Sequence, residues 1–116
     1  MSAKNSCHLI GNLGDNPEYD DAKGPKNKDG KPSGLATFSI AVDRKDIGNK
    51  EDTDWFDIEC WGNLAEKVAE YLQKGSKVAV EGRARQNTWK DKDSGKGRSK
   101  ITFTAKDVQF LSGKQD

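Results

Sequence analysis

Apolar and polar residues alternate along five stretches of the chain, and a sixth stretch spaces its apolar residues as a helix does. Residues 5–13 place Cys7, Leu9 and Leu13 on one face of a first strand, which Gly14-Asp15-Asn16-Pro17 ends. Residues 35–43 repeat the pattern: Ala36, Phe38, Ile40 and Val42 share one parity, and Leu35, Thr37, Ser39 and Ala41 the other. A third strand over 53–61 sets Phe56, Ile58 and Cys60 against an opposite face of Trp55, Asp57, Glu59 and Trp61. Leu64, Val68 and Leu72 then recur every fourth residue, widened by Ala65, Ala69 and Tyr71, which predicts a helix over about 64–74. Asn63 with Glu66 suggests a capping box at its start, and Gly75 a C-terminal cap.

The fourth strand, 76–85, points Val78, Val80, Gly82 and Ala84 inward and Lys77, Ala79, Glu81, Arg83 and Arg85 outward. If it continues through Gln86-Asn87-Thr88, Trp89 joins the face of Arg83 and Arg85. In the last strand, about 100–111, Ile101 and Phe103 have one parity and Val108 and Phe110 the other, which predicts a bulge near Ala105-Lys106-Asp107. Five strands with one helix between the third and fourth is the order of an all-β, five-stranded Greek-key barrel of the OB type.

Composition sharpens this. The 116 residues are only 32% hydrophobic and 34% charged, with a net charge of +1. The shortage of apolar residues lies in three polar loops, 14–34, 44–54 and 91–99, where only Tyr19, Ala22 and Ile47 are apolar. The rest carries the apolar content usual for a folded domain. Nothing approaches the ~20 apolar residues of a membrane span. The N-terminus turns polar too early for a signal peptide, so a cytoplasmic protein is expected. Two cysteines far apart, Cys7 and Cys60, and one histidine, His8, support neither a disulfide framework nor a metal site. No cofactor is expected. No nucleophile–base set appears, so an enzyme is not expected.

The candidate chemistry lies on the outward faces. Two indoles beside two carboxylates suit neither a core nor a plain solvated face. All three tryptophans, Trp55, Trp61 and Trp89, fall on outward parity, with Arg83 and Arg85 interleaved on the fourth strand. From 83 to 100, Arg83, Arg85, Lys90, Lys92, Lys96, Arg98 and Lys100 face only Asp91 and Asp93, a local charge of +5 in a nearly neutral protein. Lys45 and Lys50 add cations in the second polar loop. Flat rings that stack on unpaired bases, with cations for phosphates, are what single-stranded nucleic acid requires, and stacking accepts any base. Asp57 and Glu59 would either pair with Arg83 or Arg85 or keep phosphates at the rim. The alternative is an OB-fold adaptor whose exposed aromatic face binds protein.

The chain also resembles the bacterial single-stranded DNA-binding proteins. The likeness rests on Leu9-Ile10-Gly11-Asn12-Leu13-Gly14 with Pro17-Glu18, and on Ala36-Thr37-Phe38-Ser39-Ile40-Ala41-Val42. It continues through Thr53-Asp54-Trp55, Trp61-Gly62, Ala65-Glu66 and Ala69-Glu70-Tyr71-Leu72. Lys74-Gly75-Ser76, Val80-Glu81-Gly82-Arg83 and Val108-Gln109-Phe110-Leu111 complete it. The tryptophan-bearing third strand and short C-terminus are similar to cyanobacterial members in particular. The resemblance implies an OB fold over residues 1–111, assembled as a homotetramer. It also implies binding of single-stranded DNA without sequence preference in replication, recombination and repair. The family's stacking aromatics fall on Trp55, Trp61 and Trp89, and its fourth-strand arginine on Arg85. Three features depart from the pattern. Arg44-Lys45-Asp46 stands where many members carry another aromatic, and the first loop is longer and richer in lysine. Residues 112–116 form a short end without an acidic tip, which counts against tail-mediated recruitment of repair or replication enzymes.

Overall fold

The computed structural model describes residues 4–44 and 53–111. Strand β1 (Cys7–Leu13) is followed by β2 (Glu18–Asp20), β3 (Leu35–Asp43), β4 (Thr53–Trp61), helix α1 (Asn63–Tyr71), β5 (Lys77–Lys90) and β6 (Gly97–Phe110). The sheet runs β1-β5-β6-β4-β3-β2, and a second pairing of β1 with β3, Leu13 opposite Ile40, closes it into a barrel. All pairings are antiparallel except β4 with β6, which run parallel at Ile58–Phe103 and Glu59–Thr104. This is the expected OB arrangement, with α1 between the third and fourth barrel strands.

Period-two patterning accounts for the core. Ala36, Phe38 and Ile40 from β3, Ile58 and Cys60 from β4, Val78 and Val80 from β5 and Leu13 from β1 are all buried. Each large aliphatic side chain removed from water contributes ~1.5–3 kcal/mol, and here the removal is nearly complete. Phe56 and Phe103 meet edge to face, with ring centroids 5.3 Å apart, against the edge of the same cluster. Helix α1 buries Ala65 and Val68 and packs against β2, β3, β4 and β6, so it covers one end of the barrel.

Five expectations are corrected. Strand β2 lies in what reads as loop: after the Gly14–Pro17 break the chain rejoins the edge of β3, pairing Glu18 with Thr37 and Asp20 with Leu35. Asn5 and Ser6 precede β1, although the Asn5 amide bonds both main-chain groups of Ala84. The helix has no side-chain cap. Gly62, at φ 71°, holds the N-cap position and Asn63 is already helical. It also ends at Tyr71, because Leu72 turns extended and leads to Gly75, whose N–H donates to the Leu13 carbonyl. Tyr71 leaves the apolar stripe and is exposed, with its ring tilted against Phe110.

The bulge falls where the parity change demands it. Glu81 faces Asp107 and Gly82 faces Ala105, which leaves Lys106 as the extra residue on β6. Gly82 is required there: a Cβ would lie 2.9 Å from the Thr104 carbonyl carbon and 3.0 Å from the Ala105 Cα, both backbone atoms.

Candidate nucleic-acid interface

Strand β5 continues unbroken to Lys90, and its partner β6 begins at Gly97, so the last turns of this hairpin pair only with each other. No register change intervenes between Arg83 and Trp89, so Arg83, Arg85, Asn87 and Trp89 keep one face. Trp89 is 50% exposed and sits across from Arg98. On β4, Trp55 is 60% exposed and Trp61 half-buried. Six residues of strand separate them by roughly 20 Å, so they cannot stack on each other and each offers its own ring.

Both β4 indoles are seated on glycines. A Cβ at Gly14 would fall on the six-membered ring of Trp55, 2.7 Å from Cη2, and one at Gly24 would lie 3.1 Å from Trp61 Cδ1. The Gly24 backbone belongs to the lysine-rich first loop, which is ordered by bonds of its own. Gly34 N–H donates to the Lys23 carbonyl, Ser33 N–H to the Pro25 carbonyl, and the Asn27 side chain accepts from Asp29 and Lys31. Lys26, Lys28 and Lys31 are thereby carried on a built hairpin at the Trp61 end of the face, not on a structureless loop.

Between the tryptophans runs a row of polar side chains that pair among themselves. Lys100 Nζ lies 2.7 Å from Asp57, and Ser39 donates to the other Asp57 oxygen. Arg85 lies 3.3 Å from Glu59, whose same oxygen accepts from Thr104. Asn87 donates to Thr102. The Lys100 hydrogen bond holds the Asp57 carboxyl below the usual carboxylate range; burial opposes this, and Ser39 adds to the lowering. Beneath the row, burial with help from Glu59 pushes the Cys60 thiol up to about 12.

The predicted site residues thus divide. Trp55, Trp61 and Trp89 are outward as expected, as are Arg83, Lys90 and Lys92, none of which has a carboxylate in ion-pair range among the described residues. Arg85 is engaged by Glu59. Arg98 is engaged by Asp91 at 3.1 Å, and Asp91, held low by the Asp93 N–H and then by Arg98, stays charged to accept it. Lys45 and Lys50 lie outside the described residues. The pairing partner of Asp57 is Lys100 and not an arginine. Lys100, Thr102 and Thr104 were not singled out, although their shared parity on β6 was readable.

A sequence model of the single-strand binding protein family matches residues 4–111. The chain belongs to that family. Among its relatives, single-stranded DNA-binding protein 1 of Xylella fastidiosa strain 9a5c is 40% identical, covering 100% of this chain and 83% of its own. Single-stranded DNA-binding protein 1 of Synechocystis is 33% identical over 97% of this chain and 87% of its own. The protein of Thermosynechococcus vestitus is 30% identical over 97% and 86%. Two of the three are cyanobacterial, in line with the resemblance. In this member of the single-strand binding family the OB barrel exposes its three tryptophans around a face whose central charges are paired. Among the described residues no helix is long and apolar enough to cross a membrane.

Proposed function

We propose that the chain binds single-stranded DNA without sequence preference, as a homotetramer serving replication, recombination and repair. The observation that carries this is the placement of Trp55, Trp61 and Trp89 on outward faces of a barrel whose Arg83, Lys90 and Lys92 have no carboxylate in ion-pair range among the described residues. Each indole accepts one base by stacking, at ~1–3 kcal/mol, and does so for any base because each has a π-face. Arg83, Lys90 and Lys92, with Lys45 and Lys50 from the second loop, meet phosphates and release counterions. Arg98 contributes where it can exchange Asp91 for a phosphate, and Arg85, held by Glu59, offers its remaining N–H groups to a base. Membership of the family, and relatives named as single-stranded DNA-binding proteins, support the reading.

The test is a titration with oligo-dT at stepped salt, following tryptophan emission, together with sedimentation of the protein alone and with oligomers of increasing length. Quenching should accompany binding, and log affinity should fall linearly with log salt, by roughly 0.7 per phosphate neutralised. Sedimentation should give four subunits. Unchanged emission with no binding at low salt refutes the DNA reading, and a monomer refutes the tetramer.

A further inference from the structure

Resting on that reading, we propose that Asp57 and Glu59 are positioning residues that keep phosphates off the centre of the sheet. The bases then lie between Trp55 and Trp61, and the sugar–phosphate chain follows the lysines at either end.

The central cations are already spent. Lys100 is held at 2.7 Å by Asp57 and Arg85 at 3.3 Å by Glu59, with Ser39 and Thr104 fixing the carboxylates from the neighbouring strands. Glu59 is only 15% exposed, so its charge is weakly screened and its position well determined. A phosphate that approached Lys100 or Arg85 would meet a fixed carboxylate at nearly the same distance, and attraction and repulsion would cancel. A base edge meets no such opposition. Exocyclic amines donate to the carboxylates, and ring nitrogens and carbonyls accept from the spare N–H groups of Lys100 and Arg85. The depression in which this happens is lined by Asp15, Ser39, Asp57, Glu59, Lys100 and Thr102.

At both ends the balance reverses. The hairpin end carries Lys92 and Lys96 in the turn beyond Trp89, with Lys90 on the opposite side of β5. The Trp61 end carries Lys26, Lys28 and Lys31 on the ordered first loop. None of these six has a carboxylate in ion-pair range among the described residues. The face therefore carries ion-paired cations in its middle and cations without an ion pair among the described residues at its ends, and only the paired middle lies between the β4 rings.

The salt dependence of oligo-dT binding by the full chain tests this, with folding of each variant checked by circular dichroism. Lys92→Ala should flatten the slope by roughly 0.7 for each subunit the strand contacts, since it removes a phosphate contact. Lys100→Ala should leave the slope unchanged, because Lys100 neutralises no phosphate while Asp57 holds it. Asp57→Asn should free Lys100 and steepen the slope by roughly 0.7 for each subunit contacted, and the double variant Asp57→Asn, Lys100→Ala should return it to the wild-type value. Lys100→Ala flattening the slope as much as Lys92→Ala overturns the proposal. So does a slope unmoved by Asp57→Asn, or a steepening that survives in the double variant. A wild-type chain that fails to bind oligo-dT overturns the reading beneath it, an outcome distinct from these three.

Discussion

Replacing Gly14 by alanine should damage binding while sparing the fold. Gly14 does not use a left-handed backbone conformation, so alanine brings no strain of its own. Its methyl group, however, would land on the Trp55 ring, 2.7 Å from Cη2 and closer still to Cζ3. Two responses are open: the backbone shifts, or the ring moves. Gly14 is tied to the barrel by its N–H bond to the Ser39 carbonyl, whereas Trp55 is 60% exposed and has solvent to move into. The ring therefore yields. Stability should change by under about 1 kcal/mol, since an exposed ring yields and the backbone does not. A displaced indole forfeits its stacked base, ~1–3 kcal/mol, which is roughly 5- to 150-fold in the affinity of a short oligo-dT. Fluorescence titration measures the affinity and a thermal melt the stability. Trp55→Ala sets the ceiling, and the Gly14→Ala, Trp55→Ala double variant should bind no worse than Trp55→Ala alone. Wild-type affinity in Gly14→Ala, or losses that simply add in the double variant, would refute the reasoning.

Gly82→Ala should do the opposite and destabilise the barrel by ~1–3 kcal/mol or more, because the atoms it meets are the backbone of Thr104 and Ala105, which cannot rotate away; an unchanged melting temperature would contradict this. Cys60, 0% exposed and with its thiol pushed up to about 12, should resist alkylation at pH 8 until the protein is unfolded, while half-buried Cys7 reacts first; mass spectrometry of partly modified protein decides, and equal rates would sink the prediction. The Asp57 carboxyl should titrate below the ordinary aspartate value of about 3.9. The stability its pairing contributes is therefore complete above that value and lost as pH falls through the lowered one. Lys100→Ala should raise the midpoint more than Ser39→Ala, since the Lys100 bond is the largest cause; a carboxyl-carbon NMR titration in which neither variant moves it would be decisive against the pairing.

The barrel strands were legible because each carries its own period-two signal, and even the bulge at Lys106 showed as a change of parity between Phe103 and Val108. Strand β2 was not, since three residues are too few to alternate and Tyr19 is the one apolar side chain among them. Its pairing is imposed by the free edge of β3. The start of α1 misled because Asn63 and Glu66 imitate a capping box, while a glycine at positive φ was the tighter turn out of β4. At the candidate site, parity placed all three tryptophans outward. It could not say which cations were free. The Lys100–Asp57 and Arg85–Glu59 pairs depend on strand neighbours brought together by the parallel β4–β6 contact and by β5 beside β6, and neither adjacency leaves a mark in local sequence. The local charge count likewise could not say which hairpin cation Asp91 takes; across the turn it is Arg98.

The unbroken run of β5 past the barrel also sets a rule for how this arm can change over evolutionary time. Beyond Arg85 the strand owes nothing to the core, so its length is open to drift. Yet side chains flip sides at every step. One residue gained or lost between Arg85 and Trp89 would turn the indole to the back of the hairpin, whereas a change of two would only move it farther out or in. Insertions that survive here should come in even numbers, and the reach of the arm would be quantised.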